Sequence, residues 1–281
     1  MKIALVTDST ADLPKDLADD LGVTIVPLYV QFQGRTFADW SNFSVPEMLA
    51  AIQAGAALPK TSQPAPADFA AVFERLLTQV DHVLSVHISL TLSGTVNAAA
   101  LAAKDFAGRV TVLDSGSATG GLALIIEHTA RALRDGASLE AVMAMLERLR
   151  SLVSIRFSVA TLEFLRKNGR IGAAQALIGS LLNVKPLLEF RDGVLRPVSR
   201  PRGTARALQE TADAAREYVA RHGPSRAWFI YTQSREDVEP LRDACVKLGI
   251  QEVRTYQAGA VITSHIGPHA YAVCLEPLQI L

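Results

Sequence analysis

Four short apolar runs, KIALVT, VTIVPLYV, HVLSVHI and RVTVLD, alternate with segments of helical pattern in the first half of the chain. Strands separated by helices in this way are the signature of a parallel sheet covered by its crossover helices. Ser44-Val45-Pro46-Glu47 reads as a capping box with proline in the first turn, so a helix is expected to start there. PADFAAVFERLLTQ places Phe69, Phe73, Leu76 and Leu77 on one helical face. Two further helices are expected after Ser115, split near Asp135-Gly136, and VQFQGRTF reads as a hairpin or extended excursion beyond the second strand.

The second half changes character. SLVSIRFSVA leads to a helix at TLEFLRKN that Gly169 ends, and VKPLLEF and VLRPVSR flank Asp192-Gly193, a strong hairpin signal. A helix over about 204–221, a strand at RAWFIYT, a helix over about 235–248 and strands near QEVRTYQ and YAVCLEP complete the chain. The expected fold is α/β: an α/β/α parallel-sheet domain over residues 1–157 and a smaller α+β domain with a mixed sheet over 158–281.

Composition bounds the function classes. The 281 residues are 49% hydrophobic but only 6% aromatic, so the apolar content is mainly aliphatic and sufficient for a core and an aliphatic cavity. Lys and Arg number 28 and Asp and Glu 28, which disfavours nucleic acid as a partner because such domains carry a basic excess. No apolar run approaches the roughly 18 residues that span a bilayer. MKIALVTDST has only a short apolar stretch before Asp8 and reads as a first strand rather than a signal peptide. Cys245 and Cys274 fit a reducing cytoplasm, with no disulfide implied.

Four turns rich in small hydroxyl residues carry the candidate chemistry. Thr7-Asp8-Ser9-Thr10, Ser93-Gly94-Thr95 and Asp114-Ser115 follow strands, and Thr61-Ser62-Gln63-Pro64 precedes a helix. Singly, each is a helix cap. Together, several are expected on the carboxyl rim of the sheet, where open α/β sheets bind ligands, and unpaired amides at helix starts suit an anion. Nucleotide loops are not matched: Gly116-Ser-Ala-Thr-Gly120-Gly121 has the wrong spacing for either phosphate motif. Ser93, His265 and Asp8 or Asp114 offer a nucleophile, base and orienter, but TLSGT lacks the glycines of the G-x-S-x-G elbow. Metal spacing is poor, since His82 and His87 face opposite sides of a strand and Gly267-Pro268 separates His265 from His269. His265 stands out because ITSHIGP puts it in a turn of small polar residues. Arg191, Arg196, Arg200, Arg202 and Arg206 form a basic run, read either as a solvated hairpin and helix start or as a docking surface for an acidic or phosphate-bearing partner.

TDSTADLP (7–14), PKTSQPAP (59–66), SLTLSGT (89–95), LDS (113–115), LRKNGRIG (165–172), NVKPLLEFRDG (183–193) and GAVITSHIGP (259–268) occur in this order along nearly the whole chain. As an ordered set they resemble the DegV family, the fatty-acid-binding subunits of bacterial fatty acid kinase. The resemblance implies a long-chain fatty acid between the two domains, its tail in an apolar tunnel. Its carboxylate would be held by Thr61, Ser93 and His265, with Ser62, Gly94, Thr95 and Gly267 beside them. It also implies that Arg202 lies where the chain meets a separate ATP-dependent kinase, with transient contact to a membrane surface. No cofactor, metal or catalytic residue is implied for this subunit, because neither phosphate-clamping loops nor metal ligands are evident. The alternative is a serine esterase or acyl hydrolase using Ser93 and His265. His269, where glycine is common, and Val96, where tyrosine is common, are expected to reshape the wall near the head group.

Overall fold

The computed structural model describes residues 1–41, 43–177, 183–191 and 193–279. The chain begins with β1 (Ile3–Asp8), α1 (Lys15–Leu21), β2 (Val23–Val26), β3 (Tyr29–Phe32), β4 (Arg35–Ala38) and α2 (Val45–Gln53). It continues through β5 (Lys60–Ser62), α3 (Pro66–Leu77), β6 (His82–His87), α4 (Thr95–Ala103), β7 (Val110–Asp114), α5 (Thr119–Arg134) and α6 (Leu139–Leu152). The order β2-β1-β6-β7 makes a four-stranded sheet whose pairings are all parallel. The run VTIVPLYV supplies two strands rather than one. Pro27 has no N–H to donate, and it separates β2 from β3, which leaves the parallel sheet for an antiparallel sheet of order β4-β3-β5. Ser44 caps α2 as its sequence requires, accepting from Glu47 N at 3.3 Å.

The second half runs β8 (Ser154–Ser158), α7 (Glu163–Lys167), β9 (Leu187–Arg191), β10 (Val194–Ser199), α8 (Thr204–His222), β11 (Ser225–Tyr231), α9 (Glu239–Lys247), β12 (Gln251–Gln257), α10 (Ala260–Ile266) and β13 (Tyr271–Pro277). Its six strands form a mixed sheet of order β10-β9-β8-β13-β11-β12, in which β11 and β12 are parallel and the other pairs antiparallel. The hairpin β9–β10 forms where the sequence places it, with Gly193 at φ +74°; Asp192 lies outside the described residues. All five residues of β8 belong to this sheet, so the expected division after Phe157 falls inside a strand.

Helix α5 joins the halves. Leu122 to Ile126 are fully buried, and the helix touches β1 on one side and β11 and β13 on the other. Five successive buried apolar residues cover every face of this part of the helix, which therefore has to lie between layers. Gly120 and Gly121 make the fit possible: a Cβ on Gly120 would stand 2.8 Å from Ile230 Cδ1, and one on Gly121 2.6 Å from Ile155 Cδ1. The glycines after RVTVLD therefore serve close packing of a helix on a sheet. One continuous cluster, from Leu5 and Leu84 through α5 to Ile155, Phe190 and Trp228, fills the space between the two larger sheets.

Candidate functional site

The space between the sheets is not completely filled. A cavity of about 280 Å³ lies there, walled by Leu28 and Ile88 from the first half and by Phe157, Phe190, Leu195 and Ile230 from the second. Val261, Ile262 and Ile266 of α10 complete an aliphatic lining. Among its polar side chains are Thr61, Ser62, Gln63, Ser93, Arg170 and His265, and Thr119, Thr232 and Tyr271 also line it. Ser62 and Gln63 are exposed, so the lining reaches solvent at these two residues.

Each of these side chains is placed by an identifiable element. Thr61 sits in β5, paired with Val30 of β3, rather than in the expected turn. His265 lies on α10, a helix that the pattern ITSHIGP did not announce. The two meet at 2.8 Å, Thr61 Oγ1 to His265 Nε2. Burial, and after it the Arg170 guanidinium, lowers the His265 pKa to about 4, so the imidazole is neutral at physiological pH. Its other nitrogen, Nδ1, is buried with no hydrogen-bond partner among the described residues. Ser93 stands just before α4, its Oγ 2.8 Å from Thr95 Oγ1. Thr95 is fully buried and supports Ser93 without lining the cavity. Arg170 donates to Leu92 O at 3.0 Å and to Asn168 O at 2.8 Å, which holds its charge against the loop that carries Ser93.

Two glycines are fixed by contact. A Cβ on Gly94 would stand 2.1 Å from Gln63 Oε1, so the Gln63 amide lies directly on the Ser93-Gly94 turn. Gly267 ends α10 at φ +77°, and a Cβ there would stand 2.5 Å from Phe164 Cδ2. Neither glycine lines the cavity; Gly94 lets the lining residue Gln63 approach, and Gly267 lets Phe164 pack on the end of α10.

The other hydroxyl turns do different work. Asp8 accepts from Thr10 N, Ile88 N and His87 Nδ1, each at 3.0 Å, and ties β1 to β6. Asp114 accepts from Gly116 N at 2.8 Å and Leu90 N at 3.3 Å. Both carboxylates are thus engaged away from His265, and Ser93 pairs with Thr95. Ser93, His265 and Asp8 or Asp114 are therefore not assembled into a relay. His82 bonds Thr111 Oγ1 at 2.9 Å, and no group of three or more potential metal ligands occurs among the described residues.

Two expectations about the wall are corrected. His269 does not reach the cavity: it is half-exposed beside Asp237, and its φ of +52° explains why glycine suits the position. Val96 is buried on α4 and does not line the cavity either. In the basic run, Arg206 pairs with Glu210 at 2.8 Å and Arg200 donates to Ala176 O, whereas Arg202 is exposed, at a bridge to Val184.

Comparison with known proteins adds a family to this geometry. The family model of the DegV proteins matches residues 2–278. The chain belongs to the DegV family. A DegV domain-containing protein of Deinococcus radiodurans is 46% identical over 280 residues, 99% of this chain and 100% of the relative. A DegV family protein from Thermus thermophilus, described for its fatty acid binding, superposes with a TM-score of 0.95 at 46% identity, covering 99% of this chain and 100% of that one. DegV of Bacillus subtilis, described as a fatty acid binding protein, superposes with a TM-score of 0.88 at 30% identity, covering 98% and 99%. The DegV motifs also locate the residue that residue-by-residue reading passed over: Arg170 stands in LRKNGRIG, directly after a glycine-ended helix, and projects into the cavity lining.

Proposed function

We propose that this chain binds one long-chain fatty acid in the cavity, with the carboxylate at Thr61, Ser93 and His265 and the tail along the aliphatic wall. The observation that carries this reading is the pairing of Thr61 with a neutral His265 in the lining of the cavity, where Ser93 and Arg170 also stand. An anion entering a dry cavity needs donors, and two hydroxyls with the Arg170 charge nearby meet that need. Each buried methylene contributes about 0.8 kcal/mol, so a chain of roughly 15 gains on the order of 10 kcal/mol before the costs of association. Fatty acid binding described for DegV relatives supports the same reading.

The finer proposal is that the chain presents the carboxylate to a separate ATP-dependent kinase, holds the acyl phosphate, and docks that kinase through Arg202. Its support is the resemblance, the solvent-facing position of Ser62 and Gln63, and the exposure of Arg202. Organic extraction of the purified protein followed by mass spectrometry is the direct test. A stoichiometric fatty acid is expected. Recovery of none, with no uptake when palmitate is supplied, overturns the reading.

A further inference from the structure

Helix α10 carries His265 but has no capping side chain of its own. At seven residues it is too short to persist unaided. Its first amides are satisfied from far away in sequence. Asp12 Oδ1 accepts from Gly259 N at 2.9 Å, and Asp39 Oδ1 accepts from Ala260 N at 3.0 Å and Val261 N at 3.3 Å. The other oxygen of Asp12 accepts from Thr119 Oγ1 at 2.6 Å. Asp12 and Asp39 are 0% and 4% exposed, and neither forms an ion pair among the described residues.

The groups facing this pair sharpen the point. Tyr256 of β12 and Cys274 of β13 lie close enough to Asp12 to feel its charge, and Trp40 packs on Gly259. None is a cation. Burying carboxylates without a cation is costly, although a serine or asparagine would cap a helix about as well. Burial accordingly holds Asp39 up at about 6, and burial together with the Asp39 charge raises Asp12 well above the usual carboxylate range. The backbone is also shaped for the contact. Asp12 and Trp40 hold φ of +52° and +59°, and a Cβ on Gly259 would stand 2.8 Å from Asp12 Oδ1. At its other end α10 is fixed by Gly267 against Phe164.

We propose that Asp12 and Asp39 are positioning residues of the cavity's polar site: they hold the amino end of α10, and through this short helix they set His265 against Thr61. The proposal rests on the fatty-acid reading of the cavity, but not for all of its consequences.

The test is a mutant cycle. Asp39→Ala and Asp39→Asn are each made in the wild-type and His265→Ala backgrounds, with palmitate affinity measured by calorimetry and the His265 ring followed by ¹⁵N NMR. Asp39→Ala is expected to weaken palmitate about tenfold in the wild-type background and less than about twofold beside His265→Ala, because both changes then act on one interaction. Asp39→Asn keeps an acceptor for Ala260 N, so it is expected to restore most of the affinity and return the His265 resonances towards wild type. Equal losses in the two backgrounds, or His265 resonances that do not move in Asp39→Ala, overturn the proposal. Should Asp39→Ala fail to fold, Gly259→Ala, whose Cβ crowds Trp40 Nε1 and Asp12 Oδ1 at the same helix end, is read in the same way. If wild type takes up no palmitate, the fatty-acid reading fails, while the His265 resonances still decide whether Asp39 positions the ring.

Discussion

Thr61 Oγ1 stands 2.8 Å from His265 Nε2 across 204 residues of sequence, and this contact ties the edge strand β5 to helix α10. Neither partner is charged. With the imidazole held neutral by burial, one of the pair's two hydrogens joins them, and the other, on Thr61 Oγ1 or on His265 Nδ1 according to the tautomer, is left for a ligand.

That arrangement makes the hydroxyls separable from the fold. Thr61→Val keeps the shape and removes the donor, and Ser93→Ala removes a small group from a partly buried turn. Each is expected to cost about 1–3 kcal/mol of fatty acid affinity, roughly 5- to 150-fold, with little change in melting temperature. Calorimetry with palmitate checks this. Affinity equal to wild type in both variants places the carboxylate elsewhere in the cavity.

Acid should act on His265 and Asp39 in opposite senses. His265 is lowered from an ordinary 6.5 to about 4, so the unfolded chain takes the proton first as pH falls. Its contribution to stability is full above about 6.5 and lost towards 4, at about 1.4 kcal/mol per pH unit at most. Asp39 is raised from 3.8 to about 6, so the native state takes the proton first, and its contribution is full below 3.8 and lost as pH rises through 6. In lipid-free protein, His265→Asn should therefore make stability rise more steeply between pH 6.5 and 4, and Asp39→Asn should make it fall. Urea midpoints across that range measure both. Curves for the two variants that run parallel to wild type would mean that neither group is perturbed by burial.

Much of the parallel sheet was legible because its signals are local: apolar runs, the Ser44 cap and the Gly136 break all act within a few residues. What escaped depends on distant partners. Pro27 splits one apolar run into strands of two different sheets, and β5 becomes a strand only by pairing with β3. Helix α10 was read as a turn because its caps, Asp12 and Asp39, come from the other half of the chain. Thr61, Ser93 and His265 stand out in the sequence by their turns of small polar residues and take a shared role only from the resemblance to the family; the structure brings all three to one cavity. Asp39 carries no signal in the sequence alone, since a lone aspartate between alanine and tryptophan resembles any loop residue.

Gly267 offers a stability test linked to the site. Its φ of +77° disfavours any L side chain, and the Phe164 ring occupies the place of its Cβ. Gly267→Ala is expected to destabilise by about 1–3 kcal/mol and to weaken fatty acid binding through displacement of α10. Combining it with Phe164→Leu, which relieves the ring contact but not the backbone strain, should recover part of both losses. A Gly267→Ala protein as stable and as tight-binding as wild type would show that α10 is not clamped at this end.

Arg202 tests the proposed partner. It lies exposed at the bridge to Val184, between Pro201 and Gly203, just before α8 begins at Thr204. Arginine suits forked contacts to carboxylate or phosphate, and its neighbours make the region basic although the whole chain has no net charge. Arg202 does not line the cavity, so Arg202→Glu is expected to leave fatty acid binding nearly unchanged. With a fatty acid kinase as partner, the same variant should form acyl phosphate at least about tenfold more slowly, because charge reversal sets like charges together across the contact. Added salt should weaken the wild-type pairing and have less effect on the variant. Rates equal to wild type at low salt would make Arg202 a solvated side chain, and loss of fatty acid binding would move it into the binding site instead.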